Sequence, residues 1–218
     1  MSDINTNWLI ENFGDKPMNV FDIGSAHVDG DAAMFKRLLN NASVYAFECG
    51  IVWKERNIQS AIIHGVNYFH VAMSDTNGEV TFYPSSTYNG EIWPYSGSVC
   101  KPILTEVSSG TFVWGEPYTV ETIRLDTFCD THNVTPDFIH IDVQGAEYKV
   151  LSNMGKYRPW AIWAEVNEFE NCYDTNTTHK GFSQMLYDFG YTKIYSNNLD
   201  ELYVLKDLSL TPYQEKHK

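Results

Sequence analysis

Three short apolar runs in this chain each stop at a carboxylate: Asn19-Val20-Phe21 at Asp22, Val44-Tyr45-Ala46-Phe47 at Glu48, and Phe138-Ile139-His140-Ile141 at Asp142. Helical spacing follows each one. Ala33, Phe35, Leu38 and Leu39 mark a helix after the first, with Asp31 as its expected N-cap. WKERNIQSAII follows the second, and Ala146, Val150 and Leu151 follow the third, in a helix that Gly155 closes. Strand–helix alternation of this kind builds a parallel sheet through right-handed crossovers, with helices covering it.

The rest of the chain fits around that rhythm. Trp8, Leu9 and Phe13 predict a short N-terminal helix that covers a sheet edge. NYFHVA reads as a third strand, and SDTNGEVTFYP as an antiparallel excursion through its Asn77-Gly78 turn. YTVETIRLDTFC gives a strand and a short helix, WAIWAEV a fifth core strand near Glu165, and HKGFSQMLYDFGY a helix stopped at Gly190. YTKIYS and ELYVL, joined at Asn197-Asn198, read as an antiparallel pair closing the sheet. Between Tyr83 and Tyr118 the pattern is irregular and rich in Gly, Ser and Pro, yet it holds Tyr88, Trp93, Tyr95, Phe112 and Trp114. Aromatic content of that order argues for an ordered functional segment or a satellite core, and against disorder.

Charge narrows the class of partner. The net charge is -13 over 218 residues, and the 15 Lys and Arg are scattered, as at Lys54-Glu55-Arg56. A nucleic acid or an anionic membrane needs a clustered basic face, so neither is expected as a partner. No run approaches the ~20 apolar residues of a membrane span, and the polar start at Met1 lacks the pattern of a signal peptide. A cytoplasmic protein is therefore expected. In that setting Cys49, Cys100, Cys129 and Cys172, with no C-x-x-C pair, are expected as reduced thiols. The acceptor-like triplets at Asn41, Asn133 and Asn176 are expected to be chance matches.

Ligands of an open α/β sheet bind at the carboxyl ends of its strands, where these acids sit. A dinucleotide would need G-x-G-x-x-G, whereas Gly24 is followed only at Gly30 by another glycine, amid Asp22, Asp29 and Asp31. That loop repels a pyrophosphate and suits a cation. Glu48, 24 residues beyond Gly24, stands near the ~20-residue spacing of an acid that grips a ribose diol. S-adenosylmethionine, with a ribose, a sulfonium and no phosphate, fits.

NVFDIGSAHVDG, VYAFE, NYFHVAMSDTNGEVTFY, VETIRLDTF, PDFIHIDVQGAEYKVL and GYTKIYSNNLDELYVL, in that order, span Asn19 to Leu205. Together they resemble the FkbM-type S-adenosylmethionine-dependent methyltransferases. The resemblance implies a three-layer Rossmann-like class I methyltransferase fold, with a mostly parallel seven-stranded sheet and an antiparallel last strand. It implies one domain over 1–218, divided into a cofactor-binding half (19–82), the aromatic acceptor segment (83–118) and the second half of the sheet (119–207). Cofactor contacts are implied for Asp22 and Gly24 with Ser25 in the same loop, for Glu48 at the ribose, and for Met73, Ser74 and Asp75 at the adenine. Asp142 and Glu147 are implied to face the methionine end and the acceptor.

Two departures stand out. The loop after the first strand is longer between its glycines than in the family, which leaves His27 as an inserted feature. Gln144 occupies a position where the family usually has Glu. A base helps as a hydroxyl loses its proton, and Asp142 is the first candidate, followed by Glu147. His140 shares the strand face of Asp142, as a partner or as a core residue. No metal is expected, although Asp142, Glu147 and Glu165 are the side chains that could converge on one. The expected activity is O-methylation of a hydroxyl on a sugar or natural product, the acceptor being a small molecule and a carbohydrate among the candidates. Two alternatives are a non-catalytic S-adenosylmethionine-binding partner or regulatory protein, and a nucleotide-dependent oxidoreductase, which the missing glycine fingerprint disfavours.

Overall fold

The computed structural model describes residues 6–103, 106–107, 110–166, 173–175 and 177–210. The readings on Asn176 and Cys172, and on the polar start before Thr6, lie outside them. In chain order the strands are β1 (Met18–Ile23), β2 (Ala42–Phe47), β3 (Asn67–Phe69), β4 (Ala72–Met73), β5 (Gly78–Phe82), β6 (Ser85–Tyr88) and β7 (Glu91–Ile92). They continue with β8 (Glu106–Val107), β9 (Gly110–Trp114), β10 (Tyr118–Ile123), β11 (Phe138–Ile141), β12 (Ala161–Glu165), β13 (Tyr191–Ser196) and β14 (Asp200–Leu205). The helices are α1 (Thr6–Phe13), α2 (Asp31–Leu38), α3 (Lys54–His64), α4 (Leu125–His132), α5 (Glu147–Leu151) and α6 (His179–Asp188).

Seven strands form the main sheet in the order β13-β14-β12-β11-β1-β2-β3. β11, β1, β2, β3 and β12 run parallel, while β14 lies antiparallel between β12 and β13. This is the three-layer Rossmann-like α/β architecture expected, with its antiparallel last strand. Alternation along each strand sorts side chains between two cores. Phe21 and Ile23 of β1 and Ile139 and Ile141 of β11 pack with Phe128 of α4, Val150 of α5 and Phe182 of α6. Val20, Val44, Phe138 and Trp163 pack on the other face with Phe35 of α2, Ala61 of α3 and Trp8 and Phe13 of α1. Thus α1 covers a face of the sheet, against Phe138 and Trp160, and not an edge.

Three local expectations are corrected. Helix α2 is capped by the backbone of Gly30 with no side-chain cap, and Asp31 lies inside its first turn. NYFHVA is not one strand: β3 stays in the main sheet, and β4 leaves it to join β10 and β5 in a three-stranded sheet. The segment 83–118 is not irregular either, because β6, β7, β8 and β9 form a four-stranded antiparallel sheet. Its strands are short and Asn89-Gly90 turns the first hairpin with positive φ at both residues, so no long alternation announces it.

The β14 end of the sheet is fixed by one buried acid. Glu201 accepts from Lys193 Nζ at 2.5 Å, lies 3.1 Å from His179 Nε2, and also bonds Ser196 and the Tyr203 hydroxyl. Among the described residues, no helix is long and apolar enough to cross a membrane. Cys49, Cys100 and Cys129 are buried free thiols.

Candidate functional site

In the main sheet, β1 has β2 on one side and β11 on the other, so the chain winds away from β1 in both directions. A crevice opens at the carboxyl ends of the strands at such a switch point. A cavity of about 400 Å³ lies there, and its walls include Gly24, Glu48, Met73, Tyr95, Asp142 and Gln144. Ser85 and Ser86 of β6 and Ile92 of β7 add a wall from the small four-stranded sheet.

Gly24 is required for this construction. It has φ +83, and a Cβ there would stand 1.8 Å from the carbonyl oxygen of Asp142. Only a residue without a side chain lets β1 and β11 end this close together. The amides of Gly24 and Ser25 both donate to the carbonyl of Phe47, at 2.9 and 3.2 Å, binding the loop to β2. Buried Asn57 of α3 holds the far side of the loop, accepting from Val28 N and donating to Ala26 O.

Glu48 follows β2 directly and lines the cavity, with its carboxylate held on both sides. One oxygen accepts from Ala26 N at 3.0 Å and the other from Gly50 N at 2.5 Å. Burial pushes the carboxyl up to about 7. The two amides oppose that push, and the charges of Asp142 and Asp22 add to it. Immediately beyond, Ile51 and Val52 line the cavity while remaining 66% and 62% exposed. Trp53 packs against both His27 and Tyr95.

Asp22 points to the other side of β1. Its carboxylate is fully buried, and Oδ1 lies 2.6 Å from His140 Nδ1 across the β1–β11 register. Burial alone lowers the His140 pKa, but the bond to Asp22 and its charge raise it to about 9, so the pair keeps a proton at neutral pH. Neither residue is among those lining the cavity. Asp22 Oδ2 and the nearby Ser25 Oγ are buried without a hydrogen-bond partner.

At the end of β11 the chain turns through Gln144 (φ 54) and Gly145 (φ 92). A Cβ at Gly145 would meet the Tyr173 ring at 3.0 Å. Gln144 Nε2 donates to Asp142 Oδ1 and to Glu165 Oε2, each at 2.6 Å. Its amide oxygen accepts from the Tyr173 hydroxyl at 3.2 Å. Glu147, completely buried on α5, accepts from Val143 N at 2.9 Å; burial raises it to about 8 and its second oxygen has no partner. It braces the turn from behind and is not among the cavity-lining residues.

The structure therefore brings Gly24, Glu48, Met73 and Asp142 of the sequence-predicted set around one cavity. Asp22, His140 and Glu147 stand behind its walls, and Ser25 lies in the loop beside Gly24. Ser74 is buried and bonds Asp75, which is exposed; neither lines the cavity. Tyr95, from the aromatic segment expected at the acceptor, also lines the cavity, whereas sequence reasoning missed Gln144 and the Ile51-Val52 pair as wall residues. An apolar pair three residues after a strand-end acid was the available signal for the last of these. Among the described residues, no group of three or more His, Cys, Asp and Glu side chains has the arrangement to hold a metal ion.

The chain is similar to known proteins. A model of the Methyltransferase FkbM domain matches residues 19–193. The 2-O-methyltransferase NoeI of Sinorhizobium fredii is 33% identical over 137 residues, which are 61% of this chain and 56% of that protein. The chain thus spans little more than half the length of that curated relative. Among solved structures, the Methanococcus jannaschii fibrillarin pre-rRNA processing protein aligns over 88% of this chain and 68% of its own, at 9% identity and a TM-score of 0.48. The precorrin-6y C5,15-methyltransferase of Geobacter metallireducens aligns over 91% and 82%, at 11% identity and a TM-score of 0.46.

Proposed function

Because the chain belongs to the FkbM methyltransferase family, we propose that its cavity binds S-adenosylmethionine and that the protein methylates a hydroxyl of a sugar or similar small molecule. The observation that carries this reading is the Glu48 carboxylate, fixed by the Ala26 and Gly50 amides at the wall of a cavity that Asp142 also lines. An acid held in this way accepts two vicinal hydroxyls, as on a ribose. The orphaned Ser25 Oγ beside Gly24 offers hydrogen-bond capacity to the polar end of the same ligand. Met73, Phe47 and the Ile51-Val52 pair supply apolar walls for a flat heterocycle. Carboxylates around the site favour a cation by several kcal/mol before desolvation is subtracted.

Bound there, the cofactor supplies a methyl group on a positively charged sulfur. The residues of the chain orient the acceptor, exclude water and receive a proton. Asp142 lines the cavity and takes the proton from the acceptor hydroxyl at its carboxylate oxygen. Tyr95, which lines the cavity at 41% exposure, and Trp93, which packs on it at 5.0 Å, form the acceptor wall; sugar faces stack well on such rings. NoeI, by its name a 2-O-methyltransferase, supports a hydroxyl acceptor. The scattered basic residues support a small molecule over a nucleic acid.

Two measurements test the reading. Calorimetric titration is expected to show binding of S-adenosylmethionine and none of NAD. Incubation with methyl-labelled cofactor and a panel of methyl glycosides is expected to label at least one sugar. Cofactor binding with no labelled product from any hydroxyl acceptor would favour a non-catalytic binding protein and refute the enzyme assignment.

A further inference from the structure

The turn after β11 places two carboxyl groups side by side with one amide between them. Ile141 pairs with Ala164 in the parallel β11–β12 register, so Asp142 and Glu165 are the next residues of adjacent strands. The Gln144 side chain folds back over both strand ends, and its two N–H bonds are divided between Asp142 Oδ1 and Glu165 Oε2, each at 2.6 Å. Gln144 is itself held from the other side. Its oxygen accepts from Tyr173, a residue 6% exposed whose ring packs on Trp114 at 5.9 Å. Asp142 and Gln144 line the cavity, whereas Glu165 is not among the lining residues.

Resting on the function proposed above, we propose that Gln144 is a positioning residue that clamps Asp142 to Glu165 and presents the Asp142 carboxyl to the cavity. Two neighbouring carboxylates do not both ionise cheaply. Here the division of roles follows from their surroundings. Glu165 is held protonated, well above the ordinary carboxyl range, by burial and then by the charge and hydrogen bond of Asp142, with Glu147 and Asp200 adding to the effect. Asp142 also faces Glu48 of β2, Glu147 of α5 and the protonated His140 of the Asp22 pair. One negative charge is what the reaction requires at this point. The acceptor O–H bond would break with its proton going to Asp142, the oxygen would bond the methyl carbon, and the electron pair of the carbon–sulfur bond would return to sulfur, so that one negative and one positive charge are lost together. Glu165 keeps its proton throughout. A glutamate at 144 would place a third carboxylate where the chain now has two donors.

Carboxyl ¹³C NMR on protein labelled at its Asp and Glu side chains tests this without an acceptor, the signals being assigned by D142N and E165Q. At pH 7 the wild-type Glu165 signal is expected at its protonated position. In Gln144→Leu, which keeps the bulk and removes the amide, the acidic limb of kcat/KM with the best methyl glycoside is expected to move up by a pH unit or more. An anionic Glu165 at pH 7 in the wild type overturns the proposal, and that signal decides even where the Leu variant fails to fold. An unmoved acidic limb of kcat/KM in a folded Leu variant overturns it too. Failure to methylate any acceptor sinks the proposed enzyme instead, and leaves the carboxyl titration unaffected.

Discussion

Cofactor affinity should depend on pH through Glu48. Its carboxyl is raised to about 7, chiefly by burial, and only the ionised form accepts hydrogen bonds at both oxygens from a diol while keeping its backbone partners. With a folded-state value near 7, roughly nine-tenths of the protein is ionised at pH 8 and about one-tenth at pH 6. Apparent affinity scales with the competent fraction, so S-adenosylmethionine should bind about tenfold more weakly at pH 6 than at pH 8. Binding favours the anion, so about half a proton should be released per complex near pH 7, measurable by calorimetry in buffers of different ionisation enthalpy.

Glu48→Gln removes charge-assisted hydrogen bonds worth about 1.5–3 kcal/mol, a loss of roughly 10- to 150-fold at pH 8. Its affinity should be flat from pH 6 to 8. Asp142 and Asp22 also act on Glu48, and the Gln variant separates their titration from its own. A wild-type affinity that does not change between pH 6 and 8, or a Gln variant that keeps the wild-type slope, refutes the reasoning. The linkage to stability has the opposite sense. A raised carboxyl contributes stability that is present below its unfolded value near 4.5 and is lost as pH rises through about 7. The free protein should therefore lose stability over that window, by denaturant titration, and the cofactor should offset the loss.

Other perturbations read other parts of the design. Gly24→Ala forces a side chain into left-handed backbone and into the Asp142 carbonyl; the backbone cost alone, about 1–2 kcal/mol, should lower Tm by roughly 2–8 °C, and cofactor binding should be abolished. Asp22→Ala leaves the His140 charge buried and unpaired, at a cost of about 3–5 kcal/mol by chemical denaturation, and the Asp22→Leu/His140→Phe double variant should recover most of it. In the wild type the His140 contribution is fully present below about 6.5 and should be lost as pH rises through about 9. Glu201 is held low by Lys193, Tyr203 and His179 against its burial, so its contribution is present above the unfolded glutamate value and is lost as pH falls through the lower folded one; Glu201→Gln should flatten stability against pH on the acid side. Trp93→Ala should raise acceptor KM severalfold while cofactor Kd holds within twofold, measured with the labelled glycoside and by calorimetry.

Much of the scaffold was legible in the chain because local patterns dictate it. The runs before Asp22, Glu48 and Asp142 became β1, β2 and β11, since four to six apolar residues flanked by helical spacing have few other ways to be buried. The antiparallel pair at Asn197-Asn198 was legible for the same reason. NYFHVA shows where the pattern runs out. Nothing in its six residues distinguishes β3 from β4, and the split depends on β10, whose Thr122 and Ile123 come from 50 residues later in the chain to pair with Ala72 and Met73.

The same division holds for the site. By itself the sequence determined that acids would stand at the carboxyl rim of a mostly parallel sheet, because apolar strands end where carboxylates can reach water. Only the tertiary structure decided what each acid does there. Alternation along β1 turns Asp22 toward α2 and His140, while Glu48 and Asp142 turn into the cavity. Gln144, read from the chain as the loss of an acid, proved to be the donor that holds two acids together. Which face a side chain meets, and whether its neighbour is water, an amide or another carboxylate, is set by contacts between distant segments, and those contacts fix its charge.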